Sequence, residues 1–294
     1  MSSNTDGRSD APGPPASGPA ARTLAGIAFT AFDVETTGLF PGVDRIAEIA
    51  AVRFDTDRVL GTFQSLVNPG IPMSAEAMAV NGISDGMLVG QPDIGEVLPG
   101  FFEFLGSSYP VAHNAMFDVG FISVESARVG LGAPDSPVLD TRGLAAAAFP
   151  GRGSYSLDTL RRVHGFSSEG AHRALADAHA CRELFLLCAG SIPISRAPDI
   201  GAFLRLSGRP LSFSGHKPPE VERIIVLEAA MRRGSALEIS YTSAGGETTR
   251  RRITPRRFRT VGGSPAVDAF CHLRGEDRAF LVSSIGSIDE VPAP

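Results

Sequence analysis

The run Phe29-Thr30-Ala31-Phe32-Asp33-Val34-Glu35 constrains the fold more than any other stretch of the chain. Its aromatic and β-branched residues predict a strand over Phe29 to Val34, in which alternate side chains point to opposite faces. Phe32 and Val34 then enter a core, while Asp33 and Glu35 stand side by side on the other face. Two carboxylates this close disfavour each other's ionisation unless a cation neutralises them. The pair therefore asks for a metal at a strand end, and oxygen donors with no thiolate nearby favour Mg²⁺ or Mn²⁺ over zinc.

Two further acids complete a cage. Asp118 follows His113-Asn114-Ala115-Met116-Phe117, where a strand gives way to a helix, and Asp177 follows His172-Arg173-Ala174-Leu175-Ala176 at the start of another helix. Four acids from three segments suit two divalent ions about 4 Å apart, an arrangement fitted to in-line attack on a phosphodiester. His172 is the candidate base for the attacking water, since a free imidazole is the side chain that exchanges protons near neutral pH. His113, Glu48 and Asp140 read as supporting residues around this cage, His164 and His179 as surface, and Arg173 as either a phosphate contact or a solvated side chain.

Around these residues the pattern is mixed. Strands are expected at Phe29–Val34, Arg45–Phe54, Gly61–Val67 and Tyr109–Ala112, and helices at Ile94–Leu105, Phe117–Val129, Leu157–Val163 and Ala174–Cys188. Strands first and interleaved helices afterwards predict an α/β fold, a mixed sheet flanked by helices. Residues 1–24, poor in large apolar groups and rich in Pro, Gly and Ser, are expected to form a disordered tail. Residues 25–190 form the main domain, and the Pro-rich stretch 191–220 a linker or an ordered strap. Residues 221–294 form a second unit, with a helix over Val221–Arg232 and strand-like runs at Ala236–Thr242, Glu247–Thr254, Ala266–Leu273 and Ala279–Val282, which suggests a small β-barrel. Apolar runs are too short to cross a bilayer, the N-terminus lacks the order of a signal peptide, and Cys181, Cys188 and Cys271 make no disulfide framework. A cytoplasmic protein with no membrane partner is expected.

The motifs, in this order, resemble the DEDDh subgroup of the DnaQ-like 3′→5′ exonucleases, over roughly Gly26 to Gly190. The resemblance implies an RNase H-like fold and a hydrolase that releases nucleoside monophosphates from 3′ ends. Its catalytic five would be Asp33, Glu35, Asp118, His172 and Asp177, the four acids holding two Mg²⁺ or Mn²⁺ ions. It also implies that Thr36 and Thr37 hold the terminal nucleotide, that Leu39 lies near its base, that Asn114 and Phe117 line the cleft, and that Glu76 contacts the 3′ end. Asn81 stands where the family commonly carries His; its amide can donate a hydrogen bond but cannot become a cation.

Residues 221–292 resemble a WYL domain, an SH3- or Sm-like barrel, although Pro265-Ala266-Val267 occupies the place of the Trp-Tyr-Leu triplet. The formal charge of −5 is uneven, because six arginines fall between Arg250 and Arg259. Arg250, Arg252, Arg256 and Arg278 are candidate phosphate contacts, set against a reading in which acids such as Glu247, Glu276 and Asp277 offset them. The expected substrate is single-stranded or frayed DNA, in repair or in proofreading beside a polymerase. RNA is the nearest alternative, and a nucleic-acid sensor working through the second unit is another.

Overall fold

The computed structural model describes residues 24–193, 195–196, 199–215 and 220–291. The expected disordered tail, apart from Leu24, lies outside the described residues. The larger unit is built on five strands: β1 (Phe29–Thr36), β2 (Ile46–Phe54), β3 (Val59–Leu66), β4 (Tyr109–Ala112) and β5 (Leu139–Asp140). They lie in the order β3-β2-β1-β4-β5, antiparallel from β3 to β1 and parallel from β1 to β5. The sheet is thus mixed, as expected, with β1 at its centre.

The alternation in β1 sets the layers. Phe32 and Val34 pack on one face with α3 (Ile94–Leu105) and α4 (Met116–Arg128), through Leu98, Phe101, Val119 and Ile122. Phe29 and Ala31 pack on the other with α7 (Ala174–Ser191), through Leu184, Phe185 and Cys188. Asp33 and Glu35 continue that second face. Its first two positions are apolar and its last two acidic, so the same helix that seals the core at one end meets carboxylates at the other. Between Glu35 and Thr36 the ladder to β2 slips by one residue, turning the chain out of the sheet at the site.

Short helices complete this unit: α1 (Ala75–Asn81), α2 (Asp85–Leu88), α5 (Thr141–Ala148) and α6 (Leu157–His164). Ser74 Oγ caps α1, accepting a hydrogen bond from the Ala77 amide, and a left-handed Gly82 ends it. The Pro-rich stretch carries α8 (Ile200–Leu206). Phe203 from this helix is buried in the core beneath α7, and Leu211 and Phe213 are buried in the core on the opposite face of the sheet. The stretch is therefore packed into the larger unit at both layers.

The second unit pairs α9 (Val221–Arg233) with a sheet of β6 (Leu237–Thr242), β7 (Thr248–Val261), β8 (Ser264–Cys271), β9 (Glu276–Leu281) and β10 (Ile285–Glu290). The order is β10-β6-β7-β8-β9, antiparallel throughout. Here the expectation of a barrel is corrected. The sheet is open, because β9 and β10 form its two edges and no ladder joins them among the described residues. Ile224, Leu227 and Ala230 of α9 cover the apolar residues Leu237, Ile239, Ile253, Val267 and Phe280, so a helix does the burying that closure would have done.

The two units meet at the turn between β1 and β2. Val43 packs against the core of the second unit, and Ile224 lies against Gly42. Glu228 of α9 accepts from Arg128 Nε at 2.9 Å and from Arg45, both of which also pair with the buried Glu125. Burial alone would raise the Glu228 carboxyl, but Arg128 and Arg45 outweigh it and hold the group below its ordinary value.

Candidate active site

Asp33, Glu35 and Asp177 each place a carboxylate oxygen so that all three lie within 4.8 Å of one another. Two come from the end of β1 and one from the first turn of α7, whose axis brings it over that end of the sheet. Asp118 is fixed beside them: its Oδ1 accepts a 3.0 Å hydrogen bond from the Val34 amide, free there because β1 pairs with β4 only as far as Ala31. It is buried next to the trio without joining their shared oxygens.

The electrostatics follow from crowding. Burial, then Asp118, Asp177 and Glu35, drive the Asp33 carboxyl well above its ordinary value. Burial, with Asp177 next, pushes Glu35 up to about 8 against an opposing Asn81 amide. Burial pushes Asp118 to about 8 despite the Val34 hydrogen bond. Buried, all-oxygen donors that resist ionising together fit a hard divalent cation, which would relieve all of them at once.

His172 lies at the mouth of the site with a left-handed backbone, φ 62°, a conformation uncommon for a residue with a Cβ. Its amide donates to Asp177 Oδ1 at 3.2 Å, so the loop before α7 is tied to the acid that follows it. The imidazole Nε2 is 3.8 Å from Asp158 Oδ2, and the side chain is 44% exposed, open to an incoming molecule. Asn114 shares the left-handed geometry, φ 61°. Its amide donates to Asp140 Oδ1 and that of Ala115 to Asp140 Oδ2, so Asp140 shapes the turn that aims Asp118.

Beside the acids lies a cleft of about 290 Å³ lined by Glu35, Thr36, Leu39, Glu76, Asn81 and Phe117, six of the residues named from sequence. Thr37 is adjacent but buried, and its Oγ1 accepts from the Arg45 amide. Asn114 faces a separate recess with His113, Arg142 and Tyr155. Leu39 is 71% exposed at the rim. The turn behind it is held by Asp44, whose Oδ2 accepts from the Phe40 amide at 2.9 Å; a Cβ on Gly38 would collide with that carboxylate. Asn81 is buried, its Nδ2 3.5 Å from the Thr36 carbonyl and its Oδ1 accepting from the Ile83 amide at 3.0 Å. It works as a brace under the cleft floor.

Supporting residues differ in part from expectation. Glu48 faces Glu35 across the β1–β2 ladder, and Arg173 grips it in a two-pronged pair at 2.8 and 2.9 Å. Arg173 is therefore engaged with protein through Nε and Nη2, while its side chain stays 36% exposed. His113 is held by Thr141 Oγ1 and the Tyr155 carbonyl, each at 2.9 Å, and burial lowers its pKa to about 4, so it stays neutral. His164 and His179 are half-buried where a surface position was expected; His164 packs against Phe149 and Phe166.

Two site residues escaped the sequence reading. Asp44 had no signal beyond turn composition. Arg161 had one: with Leu157 and Leu160 it completes an i, i+3, i+4 set, an arginine on the apolar face of α6. It is 2% exposed and donates to Asp177 Oδ1 at 2.8 Å.

In the second unit the arginines are partly offset. Arg256 pairs with Asp277 at 2.8 Å, Arg257 and Arg259 both pair with Asp268, Arg278 lies 3.6 Å from Glu276, and Arg250 lies 3.8 Å from Glu238. Arg256 and Arg278 share a groove with Arg257 and Arg259, whereas Arg250 and Arg252 lie outside it on the N-terminal half of β7. Among the described residues no helix is long and apolar enough to cross a membrane.

These features have counterparts in known proteins. A family model described as exonuclease, RNase_T, matches residues 30–185, and one described as WYL domain matches residues 222–290. The DNA polymerase III subunit epsilon of Treponema pallidum is 41% identical over 161 residues, covering 54% of this chain and 75% of that protein. The PolC-type DNA polymerase III of Bacillus cereus is 39% identical over 159 residues, but this chain spans only 11% of its length. The solved structure of E. coli Exonuclease I in complex with a dT13 oligonucleotide aligns with a TM-score of 0.52 at 16% identity, over 90% of this chain and 66% of that one, a likeness of fold. The chain belongs to the exonuclease family: its larger unit is a DnaQ-like 3′→5′ exonuclease of RNase H-like fold, a metal-dependent class of hydrolase, and a WYL domain follows it.

Proposed function

We propose that the chain removes nucleoside monophosphates from single-stranded or frayed DNA 3′ ends, in repair or proofreading. The observation that carries this reading is the adjacency of three clustered carboxylates to a cleft of about 290 Å³, at the lower end of small-ligand pockets and suited to one unpaired nucleotide. Asp33, Glu35, Asp177 and Asp118 would hold two Mg²⁺ or Mn²⁺ ions. Divalent cations bound there supply Lewis-acid neutralisation of charge on the scissile phosphate. His172, exposed at the mouth, takes the proton of the attacking water. Leu39 and Phe117 sandwich the terminal base, Thr36 and Glu76 face its sugar, and Asn81 and Asp44 keep that wall rigid. Similarity to proteins named subunit epsilon and PolC supports work beside a polymerase. The groove of Arg256, Arg257, Arg259 and Arg278 offers a second contact for the nucleic-acid backbone, four cations against Asp268, Asp277 and the neighbouring Glu276.

The test is digestion of 5′-labelled single-stranded DNA and its RNA counterpart with Mn²⁺ or EDTA. A metal-dependent ladder shortening from the 3′ end is expected on DNA, lost in Asp33→Ala, Asp177→Ala and His172→Ala. Normal turnover by either aspartate variant would refute the site. Preference for RNA would replace the substrate, and no cleavage of either would favour a sensor working through the WYL domain.

A further inference from the structure

Arg161 is the largest fully buried side chain in the protein among the described residues, and it sits in the floor of the acid cluster. Its Nη2 donates to two acceptors, the Ala176 carbonyl at 2.9 Å and Asp177 Oδ1 at 2.8 Å. Nε and Nη1 are buried without a hydrogen-bond partner, and the carboxylate of Asp158 is 3.9 Å from Nη1. A guanidinium keeps its charge wherever it is placed, and leaving the N–H groups of two of its nitrogens unpaired in the interior is costly. Packing alone does not explain it, because an apolar side chain would fill the same space on α6 beside Leu157 and Leu160 at lower cost. What only the arginine provides is a fixed positive charge with a directed hydrogen bond at Asp177.

Both donors to Asp177, the guanidinium and the His172 amide, use Oδ1. Among the described residues Oδ2 has no protein donor. The carboxylate is thereby pinned by Oδ1, and the same side chain offers a carboxylate oxygen to the trio formed with Asp33 and Glu35. The same arginine opposes the upward shift of Asp33, so its field reaches across the cluster. Its hold on the Ala176 carbonyl fixes the main chain just before Asp177 as well.

We propose that Arg161 is a positioning residue for the metal site, holding Asp177 by Oδ1 so that Oδ2 is presented to the divalent cation before substrate arrives. This rests on the exonuclease reading above. Arg161 is buried, so it does not touch DNA; it acts through Asp177. Losing it would free Asp177 to swing out of the trio, weakening metal binding even though a repelling cation has gone.

Full-length wild type, Arg161→Lys and Arg161→Met would be titrated with Mn²⁺ by calorimetry in the absence of DNA, and kcat and KM measured on single-stranded DNA at saturating Mn²⁺. Mn²⁺ affinity is expected to fall about thirtyfold in Arg161→Met and about threefold in Arg161→Lys, which keeps the charge at shorter reach. In both, kcat falls while KM for DNA stays within about twofold. A thermal melt without metal separates folding from binding, and should Arg161→Met not fold, the lysine variant carries the same comparison. Unchanged Mn²⁺ affinity in folded variants would overturn the proposal, and tighter binding would show Arg161 to be a repelling charge instead. A wild type that binds no Mn²⁺ would overturn the metal site itself, and the role of Arg161 with it.

Discussion

Replacing Glu35 by Gln should stabilise the protein when metal is withheld and destabilise it relative to wild type when metal is present. The carboxyl of Glu35 is raised from 4.5 to about 8, by burial first and by Asp177 next. In the unfolded chain it ionises near its ordinary value, so folding at neutral pH must either take up a proton or confine a charge. A group whose folded pKa is raised imposes no penalty below the unfolded pKa; the penalty grows as pH rises between the two values and is constant above the higher one. At about 1.4 kcal/mol per pH unit, the cost is about 3 kcal/mol at pH 7 and under about 1 kcal/mol at pH 5. Gln has the same shape and carries no charge. For a unit of this size, melting in EDTA at pH 7 should rise by roughly 5–10 °C in Glu35→Gln, with the gap closing towards pH 5. With Mn²⁺ the order should reverse, because binding to the native state stabilises by mass action and the variant has lost one of the carboxylates proposed to hold the ion. An equal or lower melting temperature for the variant in EDTA at pH 7 would refute the claim that these acids strain one another.

Glu228→Gln should destabilise the protein by about 2 kcal/mol at pH 7 in urea unfolding, because two largely buried arginines lose their shared partner. Since the Glu228 carboxyl is held below its ordinary value, this stabilisation is present at neutral pH and fades as the pH falls through the folded pKa; a gap that persists in strong acid would contradict the ion-pair account. Replacing Arg256 and Arg278 together by Gln should lower the salt dependence of DNA binding by about two units of log–log slope and leave cleavage of a bound trinucleotide intact. An unchanged slope would mean that Asp277 and Glu276 already satisfy these arginines.

Much of the site was legible because the period of a strand and the geometry of a helix start are local rules. The pattern Phe32, Asp33, Val34, Glu35 allows one assignment of faces, and α3 and β4 fall where their spacing places them, at Ile94–Leu105 and Tyr109–Ala112. What escaped depends on partners distant in sequence. β5 is two residues long and exists only by pairing with β4. α1 buries only Asn81, so it shows no apolar period and is marked only by its caps at Ser74 and Gly82. The open second sheet turns on β10 returning to β6 across half the unit, which no window of sequence contains. Arg161 and Glu228 share a lesson: each is a charged residue at an apolar position of its helix, Arg161 buried and Glu228 largely so, and each proves to be paired with an opposite charge from another segment.

The turn from Gly38 to Arg45 is a party wall. One side of it, Gly38 and Leu39, lines the cleft beside the acids; the other, Gly42, Val43 and Arg45, is the surface on which α9 rests. Whatever presses on α9 presses on masonry shared with the cleft beside the acids. Cutting the chain after residue 219 would therefore bare the wall as well as remove the WYL domain, leaving Arg45 and Arg128 without Glu228 and Val43 in water. A truncated protein that cleaves poorly would report damage to the neighbour's side of the wall, whereas substitutions in the arginine groove leave that wall standing.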